Sequence, residues 1–176
     1  MRAADVDERV QPGELPADYV RRLARTKALA VFDSSTAPRN AVGVRLPVLG
    51  ADTTVVIDER ILGKPLDLAD CRAMLGRLAG REHEVLSAVA LVHEGGSDVQ
   101  LSRSRVRFRA IDVAEIDRYW ASGEPRDKAG AYAIQGLGAV FVEALSGSYS
   151  GVMGLPLFET ATLLVAAGVP VWQAGA

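Results

Sequence analysis

Acidic, basic and amide side chains gather in two short segments that lie far apart in this sequence. The first, LGADTTVV at 49–56, runs a hydrophobic stretch into Asp52 and two threonines. The second, DKAGAYAIQG at 127–136, contributes three polar side chains, which are Asp127, Lys128 and Gln135. An acid on a buried strand can bind a cation and activate water, and nearby lysines, of which Lys64 is one, can bind phosphate. These residue types indicate a site that handles a metal ion and phosphate groups.

Two lysines are candidates for contacting those phosphates. An ammonium group is a compact positive charge that suits a phosphate oxygen. Lys27 lies among apolar residues in TKALAV, and Lys64 precedes Pro65, which biases its backbone toward an extended form. The alternative for each is an ordinary solvated lysine with no ligand.

Helices and strands alternate irregularly in the hydrophobic pattern. Apolar spacing predicts helices that begin at Pro16 and span 67–80, 112–123 and 157–168. Strands are predicted at 46–58, 83–96, 97–111 and 138–145, with loops at 33–43 and 146–156. The strand at 46–58 shows little alternation, which is typical of a central strand. The expected class is α/β or α+β with a mixed sheet.

Length and composition exclude several classes of protein. The chain has 176 residues, which fits a single domain over 1–176. Its net charge of −2 argues against a non-specific nucleic-acid binder, which needs a surplus of basic residues. A single cysteine allows no intrachain disulfide, and neither a signal peptide nor a membrane span is recognisable. We therefore expect a cytoplasmic protein with no nucleic-acid or membrane partner.

The order of motifs along nearly the whole chain resembles the Maf family of nucleoside triphosphate pyrophosphatases. The segments that carry the resemblance are DVDE (5–8), ADYVRRLARTKA (17–28), LGADTTVV (49–56), ILGKP (61–65), LAGREHEV (78–85), VRF (106–108), GEPRDKAGAYAIQG (123–136) and GSYSGVMGLPLFET (147–160). The combination of GADT with KAGAY-x-IQG is similar to the dTTP/UTP pyrophosphatase subgroup. Several motifs in matching order make the likeness far more specific than one motif would.

This resemblance implies both a fold and an activity. The fold would be α/β, like that of inosine triphosphate pyrophosphatases, with a mixed central sheet and two lobes around a cleft. The activity would be hydrolysis of dTTP and UTP to the monophosphate and pyrophosphate, by attack of water on the α-phosphate with a divalent Mg²⁺ or Mn²⁺ ion. A homodimer is a further expectation from the family.

The resemblance also implies roles for individual residues. Asp52 would be the proton acceptor, and Asp52 with Glu8 would bind the metal, because Mg²⁺ needs few carboxylates beside substrate phosphates. Thr53 and Gln135 would set specificity, since an amide matches the O4 and N3–H edge of uracil or thymine. The alternatives stay open: Asp52 would cap a turn, Glu8 would belong to a solvated acidic stretch, and Gln135 would be an ordinary turn residue.

Asp127 and Lys128 would form an ion pair that shapes the same cleft. The alternative is a surface pair worth less than about 1 kcal/mol.

One family motif is not found in this sequence. Members carry a strand and an S-x-S-x-R-R loop before the DVDE segment, whereas this sequence begins just before DVDE. Two interpretations follow: the true start lies upstream, or the chain is a shortened paralogue. The second makes an alternative function possible, a catalytically impaired nucleotide-binding or dimerising remnant.

Overall fold

A computed structural model describes residues 6–34, 37, 39–40, 43 and 45–172. The helices are α1 Pro16–Phe32, α2 Leu68–Leu78, α3 Val113–Ala121, α4 Tyr149–Val152 and α5 Leu157–Ala166. The strands are β1 Val48–Ile57, β2 Arg60–Leu62, β3 Glu82–His93, β4 Gly96–Phe108 and β5 Val142–Ser146. Short 3-10 turns occupy Glu124–Asp127, Ala129–Ala131 and Leu137–Phe141. None of the described helices is long and apolar enough to cross a membrane.

The five strands form one sheet in the order β2-β1-β3-β4-β5. The α/β class is confirmed, with helices on both faces of this sheet. Each strand pair in the described part of the chain is antiparallel, where a mixed sheet was expected. Short turns explain two of these pairs: two residues join β1 to β2 and two join β3 to β4, and strands joined by such turns must run in opposite directions.

The main helices and strands follow the local sequence signals. Pro16 occupies the first turn of α1, where its missing N–H removes no helical hydrogen bond. Asp112 and Glu115 form a complete capping box at the start of α3. The arginines of β4 alternate with buried residues and face solvent, as the alternation predicted.

Two segments near the carboxyl end differ from expectation. The predicted strand at 138–145 begins as a 3-10 turn and becomes a strand only at Val142. The predicted loop at 146–156 contains the single-turn helix α4. Part of the predicted loop at 33–43 lies outside the described residues.

The sheet separates two hydrophobic layers. Even-numbered residues of β1 and β3, such as Val56 and Leu86, pack against α1. Odd-numbered residues, such as Val55 and Val85, face a second core formed with α2, α3 and the 129–134 segment. Because side chains alternate along a strand, Asp52 and Thr53 must lie on opposite faces of the sheet.

Gly50 controls how closely α1 approaches the sheet. A Cβ atom at this position would collide with the backbone carbonyl of Ala24 and would lie 2.7 Å from the backbone nitrogen of Ala28. Glycine therefore allows near contact between the α1 backbone and β1. Asp52, two residues further along β1, faces the same helix.

Candidate active site

Asp52 meets a lysine from α1 on one face of the sheet. The Lys27 Nζ atom donates to Asp52 Oδ1 at 2.6 Å, and the Asp52 side chain is only 9% exposed. Burial raises the pKa of Asp52 above its ordinary value, and the hydrogen bond from Lys27 offsets only part of this effect. Asp52 is thus a nearly buried carboxylate with one charged partner.

Lys27 joins Asp52 to a second carboxylate, Glu8. Its Nζ atom lies 2.6 Å from Glu8 Oε1, and this hydrogen bond lowers the pKa of Glu8. Burial by itself lowers the pKa of Lys27, but the hydrogen bonds to Asp52 and Glu8 outweigh burial and raise it overall. Lys27 therefore stays protonated between the two acids.

Lys64 extends this cluster toward the second face of the sheet. Its Nζ atom lies 3.9 Å from Glu8 Oε2, and its side chain is 61% exposed. An ion pair this long and this exposed contributes little to stability. The ammonium is consequently free to bind another anion.

A cavity of about 190 Å³ opens on the side of β1 opposite Asp52. Its polar lining contains all the remaining predicted site residues: Thr53, Lys64, Asp127, Lys128 and Gln135. Its apolar lining comprises Val55, Val85, Ala129, Tyr132, Ala133, Val152 and Met153, and Gly154 completes it. Because Lys64 both contacts Glu8 and lines the cavity, the charged cluster and the cavity form one continuous region.

The edge of β1 connects the two faces. Strand β2 pairs only with Val55–Ile57, whereas Asp52 and Thr53 pair with β3 alone in the described part of the chain. No described strand covers β1 on its outer side at these two residues. A ligand could therefore pass around this edge and contact both side chains.

The segment 127–136 is held in place by several specific contacts. Asp127 and Lys128 form the predicted ion pair, with Lys128 Nζ 3.0 Å from Asp127 Oδ1. The backbone of Gly130 donates to the Gly63 carbonyl at 2.9 Å, beside Lys64. A Cβ at Gly130, which has φ of +67°, would also collide with Val55 of β1. Close packing of this segment against β1 and the 63–64 loop forms the wall of the cavity.

Gln135 lies at the rim of the cavity on a turn supported by Glu124. The carboxylate of Glu124 accepts hydrogen bonds from the backbone of Leu137 at 2.8 Å and of Gly138 at 2.9 Å. The hydroxyl of Tyr119 donates to the same carboxylate at 2.7 Å. The Gln135 side chain itself is exposed, so its amide is available to a ligand.

Three positioning contacts were not predicted from the sequence. The Tyr19 hydroxyl donates to the backbone carbonyl of Glu8 at 3.0 Å and so ties Glu8 to α1. Tyr19 and Lys27 are eight residues apart, two helical turns, and this spacing is a signal that they share a face. The second is the hydrogen bond between Ser87 and Thr53, and the third is the placement of residues 152–154 against the cavity. No local sequence pattern predicts the second or the third, because each brings together segments that are distant in the sequence.

A larger groove of about 780 Å³ lies near the beginning of α1 and the β1–β2 turn. Its lining includes Glu14, Asp58, Arg81 and Arg103, and none of the predicted site residues. Within the described residues, the predicted site residues that line a cavity all line the smaller one.

Glu8 and Asp52 are the predicted metal ligands. Within the described residues, no three or more His, Cys, Asp or Glu side chains gather into a metal site. Glu8 and Asp52 do converge on one point, because both contact the Lys27 ammonium. Mg²⁺ is commonly held by one or two carboxylates together with substrate phosphates and water. These two residues fit that pattern.

Comparison with known proteins places this arrangement in a family. The sequence profile of a family described as Maf-like protein matches residues 1–167, and the chain belongs to this family. It is 55% identical over 171 residues to a dTTP/UTP pyrophosphatase of Hahella chejuensis (strain KCTC 2396), covering 97% of this chain and 83% of that protein.

Two further relatives carry the same name. One from Bordetella parapertussis is 54% identical over 168 residues, covering 94% of this chain and 78% of that protein. One from Saccharophagus degradans is 54% identical over 172 residues, covering 97% of this chain and 80% of that protein.

Proposed function

We propose that this protein is a nucleoside triphosphate pyrophosphatase that hydrolyses dTTP and UTP to the monophosphate and pyrophosphate. One observation carries the proposal. A buried acid, two lysines and a small cavity with amide and hydroxyl groups form one continuous region at the edge of β1 that no described strand covers. The relatives named dTTP/UTP pyrophosphatase support the same activity.

The cavity is assigned to the base of the nucleotide. Its volume of about 190 Å³ is below the roughly 300–1,000 Å³ of pockets that enclose whole drug-sized ligands. Apolar side chains flank it, which suits a planar ring, and Gln135 and Thr53 offer hydrogen-bonding groups at its rim. The triphosphate would then extend around the edge of β1 toward Asp52.

The phosphates are assigned to the charged cluster. Lys64 lies between the cavity and Glu8, so it is placed to bind the phosphates as they leave the base pocket. Lys27 lies beside Asp52 and supplies positive charge close to the α-phosphate. Fixed positive charges aimed at a developing negative charge are among the strongest contributions to catalysis.

Asp52 is assigned as the proton acceptor. Water would attack the α-phosphorus, its proton would pass to Asp52, and the bond from the α-phosphorus to the bridging oxygen would break to release pyrophosphate. Burial raises the pKa of Asp52 in the metal-free protein. Lys27 keeps Asp52 oriented through the hydrogen bond at 2.6 Å.

A divalent cation, Mg²⁺ or Mn²⁺, belongs to the proposal. Glu8 and Asp52 would hold it together with the phosphates, and it would neutralise the charge of the triphosphate when bound. In the absence of substrate, the Lys27 ammonium satisfies both carboxylates. We therefore expect chelation with EDTA to abolish turnover.

The test is product analysis on a panel of nucleotides. The purified chain with Mg²⁺ is incubated with dTTP, UTP, CTP, ATP and GTP, and the mononucleotide and pyrophosphate are quantified. We expect equal amounts of monophosphate and pyrophosphate from dTTP and UTP. Asp52→Asn should lower the rate at least about 100-fold. Equal, low release from wild type and variant would contradict the proposal.

Asp58→Asn is the matched control for that variant. Asp58 follows β1 directly, is exposed and pairs with Arg81 at 2.6 Å, outside the small cavity. Its φ of +49° is one that asparagine also adopts, so the substitution preserves the turn. Turnover should stay at the wild-type rate in this variant.

We also propose one domain over 1–176, a cytoplasmic location and a homodimer. The oligomeric state is measured by size-exclusion chromatography with light scattering. A mass near twice the 18.7 kDa of the chain would support the dimer.

A further inference from the structure

The segment that carries Glu8 has little hydrophobic anchoring. Its described residues, 6–15, form a turn but no helix or strand, and most of their side chains are exposed, including Val10 at 49%. None of these described residues belongs to the hydrophobic clusters on either face of the sheet. The position of Glu8, one of the two carboxylates proposed to hold the metal, therefore depends on polar contacts.

Arg22 of α1 holds this segment through a bidentate ion pair with Glu14. The Arg22 Nε atom donates to Glu14 Oε1 at 2.6 Å, and the Nη2 atom donates to Glu14 Oε2 at 2.8 Å. The side chains of Arg22 and Glu14 are only 25% and 8% exposed, so solvent screens this pair less than a surface pair. Glu14 Oε2 also accepts from the backbone nitrogen of Gln11 at 3.0 Å. The pair thus fixes the turn at 11–14 against α1.

Arg22 also contacts the backbone next to Glu8. Its Nη2 atom donates at 3.1 Å to the carbonyl of Arg9, the residue that follows Glu8. The guanidinium lies over the ring of Tyr19, 5.6 Å from the ring centroid, and the Tyr19 hydroxyl donates to the carbonyl of Glu8. Two consecutive backbone carbonyls are therefore held by two neighbouring side chains of α1, and Glu8 is oriented toward Lys27.

We propose that Arg22 and Glu14 are positioning residues that hold Glu8 in place to bind the divalent cation. This inference rests on the proposed function, because it takes Glu8 as a metal ligand. In the described part of the chain, neither side chain makes a hydrogen bond or ion pair with Asp52 or with the two lysines of the site. They act on Glu8 through the backbone. Removing a group that orients a metal ligand typically weakens metal binding by about 10- to 100-fold.

The geometry requires an arginine at position 22, and a positive charge alone is not sufficient. A guanidinium presents its N–H donors in a planar fork, so Arg22 serves both oxygens of Glu14 and the Arg9 carbonyl at once. The single ammonium of a lysine keeps the charge but does not reproduce this fork. Arg22→Lys therefore separates the effect of geometry from that of charge.

The neighbouring Arg21 supplies a matched control. It lies on the same helix and pairs with Asp18 at 3.4 Å, where both side chains are exposed. In the described part of the chain, it makes no hydrogen bond or ion pair with the 6–15 segment. Arg21→Gln removes one arginine from α1, as Arg22→Gln does, without releasing the segment that carries Glu8.

The first test measures UTP hydrolysis against the concentration of free Mg²⁺. Arg22→Gln should raise the Mg²⁺ concentration for half-maximal rate about tenfold. Saturating Mg²⁺ should return kcat to within about twofold of wild type, because the metal ligands are intact. Arg22→Lys should also raise the Mg²⁺ requirement, whereas Arg21→Gln should match wild type. A general loss of structure would instead lower kcat at every Mg²⁺ concentration and would contradict the positioning role.

Two further measurements need no turnover. Hydrogen exchange in EDTA reports the hold on the segment without metal or substrate, and the backbone amides of Gln11 and Glu14 should exchange about tenfold faster in Arg22→Gln. Calorimetric titration with Mn²⁺ and α,β-imido-UTP, whose α–β bridge resists cleavage, reports binding at the site. The affinity for this complex should fall about tenfold in Arg22→Gln and stay unchanged in Arg21→Gln.

A double variant tests whether Arg22 acts through Glu8. Glu8→Gln removes the carboxylate that Arg22 positions, so adding Arg22→Gln should not raise the Mg²⁺ requirement further. A further tenfold rise in the double variant would overturn the proposal. The same conclusion would follow from an Arg22→Gln protein whose Mg²⁺ requirement and Mn²⁺ complex affinity equal those of wild type.

Failure of the proposed reaction gives a different result. If the wild type binds the Mn²⁺ complex but does not cleave UTP, only the reaction is contradicted, and weaker binding by Arg22→Gln still supports the role of Arg22. A wild type that neither binds the complex nor cleaves UTP would overturn both proposals.

Discussion

Replacing Asp52 by asparagine should abolish activity and at the same time make the fold more stable. The two carboxylates that contact the Lys27 ammonium differ in burial: the Asp52 side chain is 9% exposed, whereas that of Glu8 is 44% exposed. Burial raises the pKa of Asp52, so its charged form is less favourable in the folded chain than in the unfolded chain. The hydrogen bond from Lys27 lowers the pKa of Glu8, so its charged form is favoured by folding.

The pH dependence of this effect follows from proton linkage. Between the unfolded pKa of an aspartate, about 3.9, and the raised pKa in the fold, the folded protein binds more protons than the unfolded chain. The free energy of unfolding therefore falls as pH rises through this window. Asparagine carries no charge and avoids this loss, so the gain in the variant is absent below the window and complete above it.

The expected gain at pH 7 is about 1 kcal/mol. Replacing both partners of a buried ion pair by well-packed apolar residues is often neutral or stabilises proteins by about 1–4 kcal/mol, whereas removing one partner destabilises them when the other charge is left unpaired. We take the low end because Lys27 keeps its contact with Glu8 and is itself 23% exposed. For a chain of this length the gain corresponds to a rise in Tm of roughly 2–4 °C.

Glu8→Gln is the matched comparison, and it should have the opposite sign. Because the pKa of Glu8 is lowered, its charge stabilises the fold above the unfolded pKa of about 4.3, and this contribution is lost as pH falls through the folded pKa. The glutamine variant should therefore be less stable than wild type at pH 7. Each variant should converge toward wild type only below the pH window of its own group, and for Glu8 this window extends below the unfolded pKa of about 4.3 to the lowered folded pKa.

The free energy of unfolding is measured by urea denaturation in the presence of EDTA, so that no divalent cation binds the carboxylates of Asp52 and Glu8. Pyrophosphate release from UTP is measured on the same preparations with Mg²⁺ restored. An Asp52→Asn protein that is less stable than wild type at pH 7 would refute the assignment of Asp52 as a destabilising buried charge. Activity above a tenth of wild type would refute its role as proton acceptor.

Three further variants test the framework of the site. Lys27→Met leaves both acids without their shared partner and should lower the free energy of unfolding by about 3 kcal/mol, measured by urea denaturation. Gly50→Ala pushes α1 away from β1 and should destabilise the fold by about 3 kcal/mol in the same urea denaturation assay. Its control is Gly76→Ala, at an exposed helical position where an added Cβ would have no atom within 4 Å, and this variant should be as stable as wild type or more stable. Gln135→Leu should lower kcat/KM for UTP about tenfold with little change in Tm, because the side chain is exposed.

Local sequence patterns were sufficient to predict most of the individual helices and strands. The periodicity of α1, α2 and α3, the capping residue Asp112 and the alternation along β4 are short-range features, and the structure reproduces them. The strand at 138–145 was only partly correct, because its first residues form a 3-10 turn that continues from Gly136. Strand direction was also missed, since pairing depends on contacts between segments rather than on composition.

The sequence by itself determined which residues are available for chemistry: an acid on a core strand, lysines nearby, and an amide in a glycine-bounded turn. Only the tertiary structure decided their arrangement. It placed Lys27 of α1 beside Asp52 of β1 and brought Glu8 to Lys27 through the Tyr19 contact. It also put Ser87 behind Thr53. The physical reason is that hydrogen bonds and ion pairs act over a few ångströms, and folding decides which distant residues come within that range.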